Sequence, residues 1–447
     1  MLLAFKLRNF RSFLDEQVLH LVHSPRESSE GMLHPEILPA LAVLGANASG
    51  KSNLLRAIEL MFDMIRNSAA HPTENLPYQP FLLGSGDPGP TLFETSVQFE
   101  GVRYDYGFEY DAERILSEWL YSSPHGRQRT IFERGLGEDW YFGDSLRGGT
   151  QALAEATRDN ALFLSTARLV NHKVLSDLQE QFGTLVRVLR SDSIDRTLQV
   201  TLESLSRDPK RRSDVAKLLR RADLGIASLS IDEGGIPPVV QEATRRFYET
   251  MMPDASPEEI QAQVLLSILR PNLTHSGENG AAVGIPFEWE SVGTRNLLAI
   301  LGPILDRLST GGVLVVDELD TSLHPRLVSE LVKLFISPRT NPHQAQLVLS
   351  THDVTVMMNV NGYGALERDE LWLVEKDRQG RSEVYSIWRY KPRKDEVYSR
   401  NYLMGRYGGL PRMDETNFVD ILSEVEPDLV DLLSLDGVNP DADPKQN

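Results

Sequence analysis

The sequence contains no cysteine. That excludes disulfides, thiolate nucleophiles and Cys-ligated zinc, and it suits a reducing compartment. Long apolar runs are missing as well: none approaches the ~18 residues that a membrane-spanning helix needs. Lys6, Arg8 and Arg11 interrupt the first apolar stretch too early for a secretory signal. A cytoplasmic protein with no membrane partner is therefore expected. Positive charge is also in short supply. There are 46 Lys and Arg against 64 Asp and Glu, a formal net charge of −18. Such a surface repels phosphate backbones overall, which excludes a simple DNA-coating protein. Direct nucleic-acid contact is left to a local basic patch, such as the helix around Arg207–Arg221, whose ordinary reading is a solvated face. No long heptad run is present, which excludes a full coiled-coil tether, and no internal repeat is found.

What remains is enough for one large α/β domain with an insertion, or for two domains: 447 residues, 41% apolar and 25% charged. Three short apolar runs read as buried parallel strands with polar residues beyond their ends. They are Ala40–Leu44 before Gly45, Val313–Val316 before Asp317, and Leu347–Leu349 before Ser350. Ligands of open parallel sheets sit beyond the carboxyl ends of the strands, so one site is expected to draw on both ends of the chain. Phe93–Tyr110 alternates around Gly101 and reads as a hairpin of an antiparallel layer. Between Arg196 and Gly284, the runs Ser204–Arg221 and Val239–Met251 read as charged helices. Gly234-Gly235, Pro237-Pro238 and Ser276–Gly280 punctuate them. After Pro411 the chain is acidic and reads as a short helix with a frayed tail.

Gly45-Ala46-Asn47-Ala48-Ser49-Gly50-Lys51-Ser52 has the full P-loop spacing, after a strand and before a helix over Asn53–Arg66. Backbone N–H groups of such a loop cradle phosphates. Lys51 is expected to reach the β- and γ-phosphates, and Ser52 to hold Mg²⁺, with Asn53 beside them. Asp317-Glu318 closes an apolar strand: Asp317 is placed for the Mg²⁺ shell and Glu318 to orient or deprotonate a water. Glu290-Ser291-Val292-Gly293-Thr294-Arg295 precedes an apolar helical run, Asn296–Leu305. Its serine and glycine make a second anion site at a helix N-terminus, although alone they form an ordinary cap. His352, in Ser350-Thr351-His352-Asp353, is a candidate contact for the γ-phosphate.

The order P-loop, helix-capping Ser-x-Gly, Asp-Glu, strand-end His resembles the ABC ATPases, particularly the SMC-like and OLD-like heads. Asp320–Pro325 resembles their D-loop. Ser291-Val292-Gly293 departs from their usual signature. Leu7–Phe13, Gly45–Ser52, Glu290–Arg295, Asp317–Pro325, Asp369–Asp377 and Tyr402–Pro411 look like the bacterial "AAA family" ABC-type ATPases of the RloA and AriA (PARIS) kind, related to OLD-family ATPases. The resemblance implies an α/β, ABC-type P-loop NTPase head, a mixed sheet with an antiparallel layer, and a mainly helical insertion. It implies ATP and Mg²⁺, with Glu318 and His352 catalytic. Gly45 through Asn53, Ser291 and Gly293 would bind nucleotide, and Ser52 and Asp317 the metal. It also implies a homodimeric ATP sandwich, a nuclease or TOPRIM-like partner, and a phage trigger in antiviral defence. A Q-loop glutamine is expected too, with Gln79 or the segment Leu164–Asn171 as candidates.

The expected division is an ATPase N-terminal half over 1–195, the insertion over 196–284, the ATPase C-terminal half over 285–400 and an acidic tail over 401–447. The competing readings are a repair or recombination head that binds DNA itself, and a nucleotide-binding scaffold with negligible turnover. Glu318 argues against the scaffold. No acidic cluster of TOPRIM-like spacing follows Asp317, so cleavage would come from a partner.

Overall fold

Apolar strands too short to stand alone dictate the centre of the molecule. The computed structural model describes all residues except 24–36, 71–74, 87, 125, 138, 147–148, 223–224, 233–237, 254, 359–365, 394–395 and 412–447. The chain opens with β1 (Leu2–Arg8) and β2 (Gln17–His20), then β3 (Ala40–Leu44) and α1 (Lys51–Asn67). Five strands follow: β4 (Thr91–Phe99), β5 (Val102–Tyr110), β6 (Ile115–Ser123), β7 (Arg129–Gly135) and β8 (Tyr141–Phe142). Helices α2 (Thr150–Ala156), α3 (Phe163–Leu169) and α4 (Lys173–Leu185) lead directly into β9 (Val186–Leu189). Next come α5 (Ile194–Arg207), α6 (Pro209–Arg221), β10 (Ile226–Asp232), α7 (Pro238–Met251), α8 (Pro257–Ser267), β11 (Arg270–Ser276) and β12 (Ala282–Ile285). The rest is α9 (Val292–Thr310), β13 (Val313–Val316), α10 (Pro325–Ile336), β14 (Gln346–Ser350), β15 (Leu371–Lys376), β16 (Ser382–Ser386) and α11 (Tyr398–Leu403).

The central sheet runs β16-β15-β3-β14-β13-β9. Five of its strands are parallel, and β16 pairs antiparallel with β15 at one edge. The three apolar runs foreseen as strands are neighbours here, and every residue of β3, β13 and β14 is buried. A seven-stranded antiparallel sheet, β2-β1-β4-β5-β6-β7-β8, forms the second layer. The expected hairpin is β4–β5, turning through Glu100 (φ 48°) and Gly101 (φ 80°); both left-handed positions suit the twist of a tight hairpin. The α/β fold with a mixed central sheet and an antiparallel layer foreseen above is thus present.

One core joins the two layers. Leu54, Leu55, Ile58, Met61, Phe62 and Ile65 of α1 bury a single helical face against Phe5 and Leu7 of β1, Phe93 of β4 and Phe182 of α4. Gln346 stitches the sheets together. Its amide accepts from Leu2 N at 2.7 Å and donates to Leu2 O at 2.9 Å, across 344 sequence positions. Glu118, fully buried on β6, accepts from Tyr106 Oη (2.8 Å), Arg134 Nε (2.9 Å) and the first two amides of α3, Phe163 N (2.8 Å) and Leu164 N (3.2 Å). A carboxylate so enclosed is tolerable only because each lone pair has a donor.

Residues 196–284 hold most of α5 and all of α6, α7 and α8. They also hold an antiparallel sheet, β10-β11-β12, that runs to Ile285 and that the charged helical pattern did not announce. The single helix read over Ser204–Arg221 is two. Asp208 accepts from Arg211 N at 3.0 Å and Pro209 takes the first helical position, the usual cap and proline start. Thr201 Oγ1 of α5 donates to Ala299 O of α9 at 2.6 Å, so this segment is fastened to the C-terminal half. Residues 1–409 form one compact unit. Gly234, Gly235, Pro237 and the expected tail helix lie outside the described residues.

Candidate nucleotide-binding site

The site begins where β3 stops. Gly45 through Gly50 turn the chain into α1, whose N-terminus has no side-chain cap and no acidic residue in its first turn. Its leading amides are left for an anion. Gly50 has φ 121°, and a β-carbon there would fall 2.5 Å from Ser382 Oγ, so only glycine fits. Ser382 Oγ in turn donates to Ser49 O at 2.5 Å and lies 2.8 Å from Ser12 Oγ. Ser49 Oγ is buried with no hydrogen-bond partner. Lys51, 6% exposed, bends its amine back onto Gly45 O (2.9 Å) and Ala46 O (3.0 Å). Burial pulls its pKa down to about 8, against the opposing pull of Asp317, Glu318 and Asp320. A desolvated ammonium, uncapped amides and an orphaned hydroxyl fit a polyphosphate.

Two strands away, β13 delivers Asp317 and Glu318. Ser52 Oγ donates to Asp317 Oδ1 at 3.2 Å, and Ser350 Oγ donates to the same oxygen at 2.6 Å. Ser350, at the end of β14 between β3 and β13, also accepts from Glu318 N at 2.8 Å. Glu318 has φ 55°, a left-handed conformation rare for a side chain of its size. Its carboxylate is reached by Thr321 Oγ1 at 3.4 Å. Hydroxyl and carboxylate oxygens are the donors Mg²⁺ prefers, with the remaining positions left to water and phosphate. Among the described residues no cluster of three or more His, Cys, Asp and Glu is placed to hold a metal ion. His352 is exposed, and its backbone amide donates to Asp320 Oδ2 at 3.2 Å. The strand-end His motif is therefore tied to the loop that follows Glu318. Asn53 Nδ2 donates to Ser12 Oγ at 2.9 Å and its Oδ1 accepts from Arg11 at 3.3 Å.

Ser291 and Gly293 stand elsewhere. Ser291 caps α9, accepting from Thr294 N at 3.0 Å. A β-carbon on Gly293 would lie 2.5 Å from Ser322 O, so glycine lets the helix start touch the loop after Glu318. Both face a cleft with Arg220, Arg221, His324 and Arg326. It is a basic concavity on an acidic protein. No P-loop residue lines it.

The family described as "AAA domain, putative AbiEii toxin, Type IV TA system" matches residues 40–359. The matched span runs from β3 through β14 and contains the P-loop, both acidic residues and His352. The chain belongs to this AAA family. None of the curated proteins matches it. Among solved structures it is similar to the SMC head domain from Thermotoga maritima, at 14% identity and TM-score 0.42, covering 86% of this chain and 98% of that one. It is also similar to the Smc head domain with an extended coiled coil bound to the C-terminal domain of ScpA derived from Pyrococcus furiosus. There the identity is 11% and the TM-score 0.36, covering 91% and 98%.

Several residues of this AAA-family site escaped sequence reasoning. Arg190 and Ser191 follow β9, the strand beside β13, and line a small cavity with Asp317, Glu318, Thr321 and Asn296. Neither glutamine-loop candidate occupies a strand end of the central sheet. Gln79 accepts from Arg11 Nε at 2.6 Å, and Leu164–Asn171 lies in and after α3. Ser350 was visible as the polar residue after the third apolar run and as the start of Ser350–Asp353, with no role of its own. In the basic segment Arg211 pairs with Asp306, Lys217 with Asp214 and Arg207 with Glu203, while Arg220 and Arg221 line the cleft at Ser291. No helix among the described residues is long and apolar enough to cross a membrane.

Proposed function

We propose that this AAA-family protein is a Mg²⁺-dependent ATPase that works as a dimerising nucleotide switch. The observation that carries the reading is the convergence of Lys51, Ser52, Asp317 and Glu318 at the carboxyl ends of β3 and β13, while Ser291 and Gly293 open onto a separate cleft. Lys51 and the first amides of α1 hold phosphate oxygens. Ser52 and Asp317 hold Mg²⁺, which supplies charge neutralisation on the phosphates. Glu318 orients a water and takes its proton. The cleft at Ser291 then receives the nucleotide held by a second copy, with anion and helix N-terminus attracting each other.

The same reading places the protein in bacterial anti-phage defence, as the sensor that restrains a nuclease partner until a phage component intervenes. Support comes from the resemblance at Asp369–Asp377 and Tyr402–Pro411 and from a family description that names a type IV TA system. A trigger can release the partner only by binding one nucleotide state better than the other.

The test is ATP turnover and calorimetry on wild type, Lys51→Ala and Glu318→Gln. Lys51→Ala is expected to lose nucleotide binding, and Glu318→Gln to bind ATP with turnover at least about a hundredfold lower. Unchanged affinity in Lys51→Ala overturns the ATPase reading. Co-purification from the native operon and phage challenge of a Lys51→Ala strain test the defence role; a strain that resists phage as wild type does, with no co-purifying neighbour, overturns it.

A further inference from the structure

We infer that Ser350 is a positioning residue for the acidic pair, setting the orientation of both Asp317 and Glu318 during turnover. The inference rests on the ATPase reading above. Ser350 is fully buried at the carboxyl end of β14, clamped between β3 and β13. Its hydroxyl has one proton to give. That proton points to Asp317 Oδ1, 2.6 Å away, while a lone pair of the same oxygen receives Glu318 N–H at 2.8 Å. The carbonyl of Ser350 accepts from Leu319 N at 3.2 Å. One residue thus makes three hydrogen bonds to three consecutive residues.

The two hydroxyl bonds do different things. The bond to Asp317 is charge-assisted and holds Oδ1, the oxygen that Ser52 also reaches. It fixes the carboxylate's rotation about its own axis, and so the direction from which a metal is met. The bond from Glu318 N holds the backbone in its left-handed turn (φ 55°). A strained conformation persists only where its surroundings over-determine it. Ser350 supplies that constraint, and Glu318 is aimed by it. Alanine at 350 would leave a buried N–H without an acceptor and Asp317 with one donor fewer.

The experiment compares Ser350→Ala and Ser350→Thr with wild type for kcat, ATP affinity by calorimetry, and the Mg²⁺ concentration at half-maximal rate. Ser350→Ala is expected to lose about tenfold or more in kcat, as when a bond to a charged group is removed. Its ATP affinity should stay within about twofold, because Lys51 and the loop amides do the binding. Its Mg²⁺ requirement should rise. Ser350→Thr keeps the hydroxyl and is expected to restore most of the rate. Packing predicts the opposite order, since the smaller alanine fits and the extra methyl of threonine crowds the strand. A threonine variant as impaired as the alanine variant, or more so, overturns the inference. So does a Ser350→Ala protein with wild-type kcat and Mg²⁺ requirement. A wild type that binds ATP without any turnover overturns the ATPase reading and takes this inference with it.

Discussion

Ser52 and Asp317 lie 265 positions apart in sequence, yet the serine hydroxyl donates to the carboxylate at 3.2 Å. The contact exists because β3 and β13 run parallel in one sheet, with β14 between them, and direct their carboxyl ends to the same side. Two hard oxygens so placed suit a divalent cation whose remaining positions go to phosphate and water, as proposed above. Ser52→Ala is expected to leave ATP binding in EDTA unchanged while weakening Mg²⁺ by at least about tenfold, read as the Mg²⁺ dependence of turnover. An unaltered dependence would move the metal away from this pair.

Under the proposed function, Lys51 is expected to make ATP affinity depend on pH. Its free-state pKa is lowered to about 8 by burial, and bound phosphates would raise it. The sign follows. Below pH 8 the amine is already charged and affinity is flat. Above pH 8 binding must take up a proton, so affinity falls toward tenfold per pH unit until the bound-state pKa is reached. Calorimetry in buffers of different ionisation enthalpy should detect that uptake near pH 8.5. For folding the same shift works in reverse: burial disfavours the charged form, so the cost is largest below pH 8 and fades as pH rises toward 10.5.

Ser291→Arg tests the second cleft. The residue is exposed, so the fold should accept the change at the price of a helix cap, about 1 kcal/mol. A guanidinium there joins Arg220, Arg221 and Arg326, opposes the α9 dipole and fills the space a facing phosphate would need. In a Glu318→Gln background, Mg-ATP is expected to drive association that Ser291→Arg abolishes, while ATP binding per chain is retained. Sedimentation velocity reads both. Persistent dimers in the double variant would place the contact surface elsewhere.

Glu118 gives a stability prediction independent of nucleotide. Its carboxylate satisfies Tyr106, Arg134 and two amides of α3 without any exposure. Glu118→Ala would leave Arg134, with a side chain 9% exposed, as an uncompensated buried charge. The expected loss is about 3–5 kcal/mol in urea denaturation. A loss below about 1 kcal/mol would mean that water replaces the carboxylate.

The parts legible in the sequence are those where local pattern and chemistry coincide. Gly45–Ser52 needs its glycines because the loop is tight, and Asp317-Glu318 sits where a uniformly apolar strand has to end. Their meeting could be anticipated because buried parallel strands share an exit face. Less was visible where contacts are long-range or elements run together. β9 follows α4 without a turn residue, so Val186–Leu189 has no punctuation to mark a strand, and Arg190 and Ser191 were passed over with it. Ser350 looks like a strand terminus until β13 is laid beside β14. Asp208-Pro209 carries a legible cap, but the charge run around it reads as one helix. In β10, β11 and β12, Ser, Asn, Thr and Gly dilute the alternation that reveals strands elsewhere.

The order of strands also bears on how the protein is made. The P-loop strand β3 leaves the ribosome well before its neighbours on both sides, β14 and β15. Until Leu371–Lys376 has emerged, one hydrogen-bonding edge beside the P-loop stays open, and such edges recruit foreign strands. The antiparallel layer, by contrast, pairs mostly with its own sequence neighbours and can form early. A polypeptide interrupted before β15 keeps every residue of Gly45–Ser52 and still lacks the sheet that holds the loop in shape.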